Sequence, residues 1–135
     1  MTDSVFDRFP PPPIAEFLGF ELIREDPEAG EIEVAFHPTS EMTNVRGDVQ
    51  GGIVAAMLDD TMGPALISMT GGRCVAESID MNISYLRPMM AGRVTATGRV
   101  VRKGRTIAFL EAEIFNAEGK LLARATSSAI PVELP

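Results

Sequence analysis

The chain has little cysteine, few basic residues and no long apolar run. Its one cysteine, Cys74, excludes a disulfide framework and a Cys-rich metal site. With 12 Lys and Arg against 19 Asp and Glu, the net charge of -7 argues against sequence-independent binding to nucleic acid or an anionic membrane. No window approaches ~18 uninterrupted apolar residues, and the first residues resemble no leader peptide. We therefore expect a cytoplasmic protein without nucleic-acid or membrane partners.

What is present fits one globular domain. Hydrophobic residues make up 45% of the chain and charged residues 23%, and 135 residues suffice for one sizeable core. Residues 1–13 end in four prolines, which lock φ and lack an N–H, so we predict an extended, Pro-rich N-terminal arm. A surface tail and a partner-binding arm are both open readings of it. Residues 14–135 would form the single domain.

Hydrophobic periodicity predicts one long helix and six strands. The apolar segment 51–69 is long enough for five helical turns, with Gly71 and Gly72 as its stop and Pro64 as a kink or an early end. A short helix over 14–18 ends at Gly19. Alternation and turn residues predict strands at 20–26, 31–36, 78–85, 93–102, 106–115 and 120–132. Three consecutive antiparallel strands after one helix indicate an α+β fold, with a sheet wrapped over that helix.

The third strand has a polar face that is a candidate lining for a cleft or a dimer seam. Strict alternation over 78–85 predicts that Ser78, Asp80 and Asn82 share this face. The apolar residues between them would point to the other side.

Two adjacent carboxylates, Asp59 and Asp60, lie in the middle of the apolar helix. An ionised group buried there costs on the order of several kcal/mol unless it is paired or wetted by a cleft. We interpret the pair as the mark of a site, with an interface salt bridge as the rival interpretation. Neighbouring residues point about 100° apart on a helix, so both cannot face one cleft. Asp59 is our candidate for the working group, and Asp60 for a structural one.

The helix begins at a polar, glycine-rich loop. Unpaired N–H groups at Gly51 and Gly52, with the helix dipole, can hold an anion or stabilise an oxyanion. Asp59 lies eight residues beyond Gly51, which is roughly 12 Å along the axis. A base and an oxyanion donor must both lie within about 3 Å of the reacting carbonyl and its water. If both work, Gly51 of one chain must meet Asp59 of another, in a dimer with antiparallel helices.

The positions of Asn44, Gly47, Gly51, Gly52 and Asp59 match the pattern Asn-x-x-Gly-x-x-His-Gly-Gly followed by Asp nine residues past the His. In this the chain resembles the hotdog-fold acyl-CoA thioesterases of the phenylacetate-degradation type, in the 4-hydroxybenzoyl-CoA thioesterase-like superfamily. Segments 78–88 and 103–106 resemble that family's third strand and hairpin, and the likeness covers about 14–132. It implies a hotdog fold, a long central helix wrapped by an antiparallel sheet of five to six strands, in a homodimer or homotetramer.

The resemblance also implies an activity, the hydrolysis of an acyl- or aryl-CoA thioester to free acid and CoA without metal or cofactor. Asp59 would be the general base or nucleophile, and the Gly51 N–H would polarise the thioester carbonyl. Asn44 and Ser78 would position the water or the carboxylate. Candidate contacts for coenzyme A, which are otherwise ordinary solvated residues, are Asn82, Arg87, Lys103, Gly104, Arg105 and Thr106.

One residue departs from the family pattern, because Gln50 stands where the His is expected and the only histidine is His37. Glutamine donates and accepts hydrogen bonds but cannot titrate. Gln50 can therefore replace a His that orients the loop or contacts the carbonyl, but not one that carries a proton. The alternatives are a non-catalytic acyl-CoA-binding hotdog protein and a hotdog dehydratase or hydratase, which needs a His–carboxylate pair.

Overall fold

The computed structural model describes residues 4–135, which form one antiparallel sheet and two α-helices. The sheet order is β1-β2-β4-β5-β6-β3, so β1 and β3 are its edges. The long helix α2 packs on one face of this sheet, which confirms the predicted α+β hotdog fold. The elements are α1 (Pro13–Leu18), β1 (Glu21–Asp26), β2 (Glu31–Phe36), α2 (Gly51–Met69), β3 (Cys74–Tyr85), β4 (Val94–Lys103), β5 (Ala108–Phe115) and β6 (Leu121–Glu133).

Helix α2 is held close to the sheet by Gly98 of β4. A Cβ added at Gly98 would lie 2.8 Å from the carbonyl oxygen of Thr61, so only glycine allows this approach of helix and strand. Around this contact the sheet-facing side of α2 is fully buried, with the large side chains Met57, Leu58, Met62 and Leu66. No helix among residues 4–135 is long and apolar enough to cross a membrane.

The predicted element boundaries agree with the structure to within two residues, with one exception. Strand β3 begins at Cys74, four residues before the predicted start. Helix α2 continues through Pro64 to Met69, so the predicted early end of the helix is wrong. Pro64 is itself buried, and it removes one hydrogen bond from the helix because proline has no N–H.

A β-bulge in β3 overturns the predicted polar face. The register shifts between Ser78 and Asp80, so that one extra residue breaks the alternation. Ser78 pairs with Ala129, which is fully buried, whereas Asn82 pairs with Thr126, which is exposed. Paired residues share a face of the sheet. Ser78 therefore faces α2 and Asn82 faces outward, and the prediction that the three polar residues share one face is wrong.

The N-terminal segment is less extended than predicted. Its residues 1–3 lie outside the described part, and Val5–Arg8 form a short 3₁₀ helix. The Val5 side chain is buried beside Gly72, where an added Cβ would come within 2.7 Å of Val5 Cγ2. The Arg8 guanidinium donates to the Gly71 carbonyl at 3.2 Å. These contacts attach the segment to the turn that follows α2. The division into an arm (1–13) and a domain (14–135) stays a prediction.

Candidate functional site

The loop that leads into α2 is shaped by Asn44. Its backbone N–H donates to the Asp48 carbonyl at 2.7 Å, and its side-chain Nδ2 donates to Asp48 Oδ1, also at 2.7 Å. The Asn44 side-chain oxygen accepts from the Arg46 N–H at 2.9 Å. Both ends of the side chain are thus used inside the loop. These contacts assign Asn44 a loop-forming role, and the predicted role on water or carboxylate stays a prediction.

Helix α2 begins with free backbone donors. The Ile53 and Val54 N–H groups donate to the Gln50 carbonyl at 2.9 and 3.1 Å. Within residues 4–135, the N–H groups of Gly51 and Gly52 donate to no partner. The exposed Gln50 side chain does not cap the helix. Two donors and the positive end of the helix dipole are therefore available at one point.

A surface cleft opens at this helix start. It is lined by Gly51, Gly52, Tyr85 and Arg87 among others. The Tyr85 hydroxyl donates to the Gly51 carbonyl at 2.8 Å, and the Arg87 guanidinium donates to the Leu121 carbonyl at 2.8 Å. We predicted no role for Tyr85 from the sequence, although it is the only tyrosine and stands two residues before the candidate Arg87.

Asp59 lies on the side of α2 that the sheet does not cover. Its side chain is exposed in the single chain, so Asp59 does not bear the cost of burying an ionised group. The Ser78 hydroxyl donates to Asp59 Oδ1 at 3.5 Å, a long contact. The β3 bulge turns Ser78 toward the helix and so brings these two predicted site residues together.

Asp60 is the more buried of the two carboxylates. Burial, and next the charge of Asp59, raise the pKa of Asp60 from 3.8 to about 6. Asp60 Oδ2 is the one buried side-chain oxygen or nitrogen without a hydrogen bond among the described residues. Asp60 is therefore the carboxylate that bears the free-energy cost of burial.

The predicted site residues divide between two ends of the sheet. Ser78 pairs with Ala129 of β6 and Tyr85 with Ala123, six residues away, which is about 20 Å along a strand. Asp59 lies beside Ser78 and so belongs to the Ser78 end. The free N–H groups of α2 lie beside Tyr85, at the Tyr85 end.

The candidate coenzyme A contacts divide in the same way. Ala129 also pairs with Ala108, the first residue of β5, so the β4–β5 hairpin lies at the Asp59 end. Within residues 4–135 the side chains of Lys103, Arg105 and Thr106 make no hydrogen bond or ion pair and are exposed. The backbone N–H of Gly104 donates to the Ile107 carbonyl at 2.8 Å and closes the hairpin. Arg87 follows β3 at the other end. Asn82 lines a groove on the outer face of the sheet.

His37 is exposed at the end of β2, where its N–H donates to the Leu18 carbonyl. Through the register of β2 with β4, this position lies at the Val94 end of β4, whereas Ser78 lies at the Lys103 end. Nine residues of strand separate these ends, about 30 Å. A His–Asp59 pair within one chain is therefore absent. No group of three His, Cys, Asp or Glu side chains in the described residues can hold a metal ion.

The chain is similar to known thioesterases over most of its length. The family model of the thioesterase superfamily matches residues 46–123. A phenylacetic acid degradation-related protein from Ralstonia eutropha JMP134 superposes with a TM-score of 0.87 at 32% identity, over 93% of this chain and 95% of that chain. Human acyl-coenzyme A thioesterase 13 is 33% identical over 70% of this chain and 69% of its own length. The medium/long-chain acyl-CoA thioesterase YigI of Escherichia coli K12 is 27% identical over 86% and 83%.

Replacing Asp60 with Asn should stabilise the protein at neutral pH, because the amide avoids an ionised carboxylate in a half-buried place. Folding raises the Asp60 pKa from 3.8 to about 6, so the folded chain binds more protons than the unfolded chain in that window. The unfolding free energy of the wild type therefore falls as the pH rises from about 4 to about 6. After allowance for solvent screening, we expect Asp60→Asn to add on the order of 1 kcal/mol at neutral pH and nothing near pH ~4.

Melting curves of both proteins between about pH 4 and 8 measure this difference. Glu118→Gln, in the exposed β5–β6 turn, is the control and should match the wild type throughout. If the wild type is more stable than Asp60→Asn at neutral pH, the raised pKa of Asp60 is contradicted.

Proposed function

Because the chain belongs to the thioesterase superfamily, we propose that it hydrolyses acyl-CoA thioesters at a site shared between two chains. Family membership confirms the resemblance drawn from the sequence, and with it the expectation of a thioesterase. The similarity of the chain to the human and E. coli acyl-CoA thioesterases supports acyl-CoA as the substrate class. Neither similarity identifies the acyl group.

The observation that carries the shared site is the separation of its two halves. The free N–H groups of α2 lie at the Tyr85 end of β3, and Asp59 lies at the Ser78 end. Eight helical residues place Asp59 roughly 12 Å from Gly51 along a rigid axis. A second chain related by a two-fold axis, with its α2 antiparallel, would bring its Asp59 to the Gly51 of the first. Each dimer would then contain two identical sites.

Two surfaces of the single chain support such a pairing. Strand β3 is a 12-residue edge strand, paired only with β6 in the described sheet, and Ile79 on it is 54% exposed. Unpaired edges of this length invite another strand. The open side of α2 carries Gly52 and Gly63, where an added Cβ would meet nothing within 4 Å. Small residues on this side would let a second helix come close.

The chemistry divides between the two halves. The Asp59 carboxylate of one chain would take a proton from water as that water attacks the thioester carbonyl carbon. The Gly51 N–H of the other chain would donate to the oxygen as it becomes negative. The C–S bond then breaks, the proton passes to the sulfur, and free acid and CoA leave. Ser78, at 3.5 Å from Asp59, would orient the carboxylate. Gln50 beside the free N–H groups would contact the carbonyl as a neutral donor.

Coenzyme A would lie where the two-fold axis brings the Tyr85 end of one chain next to the Asp59 end of the other. Arg87 of one chain and the Lys103–Thr106 hairpin of the other would supply positive charge and donors for its phosphates. Asn82 faces the outer side of the sheet, so we leave it out of the proposed site. A tetramer and a cytoplasmic location stay predictions.

Replacing Asp59 with Asn should lower kcat on CoA thioesters at least ~10²-fold, because asparagine cannot accept the proton of the attacking water. Release of free thiol from a panel of acyl- and aryl-CoA esters measures the rate and identifies the preferred acyl group. Asp60→Asn is the matched control on the same helix and should keep most of the rate. Full activity of Asp59→Asn would overturn the role of Asp59. Tight CoA binding by a wild type without turnover would indicate the non-catalytic alternative.

Replacing Gly51 with Pro should remove the proposed oxyanion donor and keep the helix. Proline is well tolerated at the first position of a helix, and Gln50, with φ -57° and ψ 136°, has the extended conformation that a residue before proline needs. We expect kcat to fall about 10²- to 10³-fold.

Gly51→Ala is the control, since it keeps the N–H, and its Cβ would lie at an ordinary 3.5 Å from the Tyr85 ring. If the folded Pro and Ala variants turn over equally fast, the Gly51 N–H has no part in the reaction.

A further inference from the structure

Tyr85 touches the start of α2 in two ways. Its hydroxyl donates to the Gly51 carbonyl at 2.8 Å. Its ring lies against the glycine, because a Cβ added at Gly51 would come within 3.5 to 3.6 Å of the ring atoms Cζ and Cε1. Tyr85 is the last residue of β3, so its side chain connects the end of the edge strand to the start of the helix.

The hydrogen bond from the Tyr85 hydroxyl acts on the peptide group that contains the Gly51 carbonyl. The Gly51 carbonyl belongs to the peptide that joins Gly51 to Gly52, and the N–H of that peptide is the Gly52 N–H. A hydrogen bond to a carbonyl polarises its peptide and strengthens the N–H as a donor. The Gly52 N–H is one of the two donors at the helix start without a partner in the described chain.

We propose that Tyr85 is a positioning residue that fixes and polarises the Gly51–Gly52 peptide, so that the Gly52 N–H acts with the Gly51 N–H on the thioester oxygen. This inference rests on the proposed function of the helix start and adds a second donor to it. Gly51 and Gly52 are the first two residues of α2, so the helix sets the direction of this peptide, and the Tyr85 hydroxyl adds a contact to its carbonyl from outside the helix. The Tyr85 hydroxyl is the side-chain group that makes this contact among residues 4–135.

A purely structural role is the rival explanation, and its energetics differ. Tyr85 is 53% exposed, and a neutral hydrogen bond at such a place contributes little to folding. A structural tyrosine would therefore change melting slightly and leave catalysis alone. A positioning tyrosine would change transition-state stabilisation while the fold and substrate affinity remain.

Tyr85→Phe separates these cases, because it removes the hydroxyl and keeps the ring. We expect kcat to fall about tenfold, less than for loss of a whole oxyanion donor, with KM within about twofold. Ser84→Ala, the neighbouring residue on β3, is the control and should match the wild type. An unchanged kcat, or a raised KM with an unchanged kcat, would overturn the inference and leave the proposed function standing. A wild type inactive on all CoA thioesters would overturn both.

A second measurement does not depend on activity. In amide NMR spectra, Tyr85→Phe should shift the Gly52 signal more than the Gly51 signal, because the Gly51 N–H belongs to the preceding peptide. Equal small shifts of both signals would contradict the polarised peptide.

The chain offers one further probe, since it has one tyrosine. Biosynthetic 3-fluorotyrosine would alter only this phenol, making it more acidic and a stronger donor. The fluorinated protein, assayed where its phenol is neutral, should keep at least the wild-type kcat. A kcat as low as that of Tyr85→Phe would overturn the inference.

Discussion

A helix advances 1.5 Å per residue and does not bend back on itself, and this constraint governs the site. The free N–H groups at Gly51 and the carboxylate of Asp59 belong to one helix and cannot meet within one chain. Gly98 lets α2 lie directly on β4, and the β3 bulge turns Ser78 toward Asp59. In the proposed site, each chain would therefore supply two half-sites at opposite ends of β3.

The adjacent carboxylates Asp59 and Asp60 differ in exposure and in electrostatic environment. The open side of α2 leaves Asp59 exposed in the single chain, where a substrate and a second chain can reach it. Asp60 is rotated about 100° from Asp59 around the helix, so burial raises its pKa to about 6. The proposed reaction needs the first carboxylate, and we expect the second to lower stability at neutral pH. In this proposal, the carboxylate with the raised pKa is not the reacting one.

Local rules predicted much of the fold from the sequence. Helix α2, strand β2 and the hairpin closed by Gly104 follow from periodicity and turn residues. The bulge at Ser78 could not be predicted, because a bulge depends on the register between two strands that are distant in sequence. The docking of Val5 on Gly72 also joins distant segments. The family pattern pointed to Asp59 and Gly51, whereas the contact of Tyr85 with Gly51 became visible only when the two elements were folded together.

The most direct test of the shared site mixes two inactive proteins, Asp59→Asn and Gly51→Pro. In a hybrid dimer, the intact Gly51 of the first chain faces the intact Asp59 of the second, so one of the two sites is complete. Equal mixing with full subunit exchange should restore about a quarter of the wild-type activity, since half of the dimers are hybrids. No recovery after verified exchange would contradict a site made by two chains.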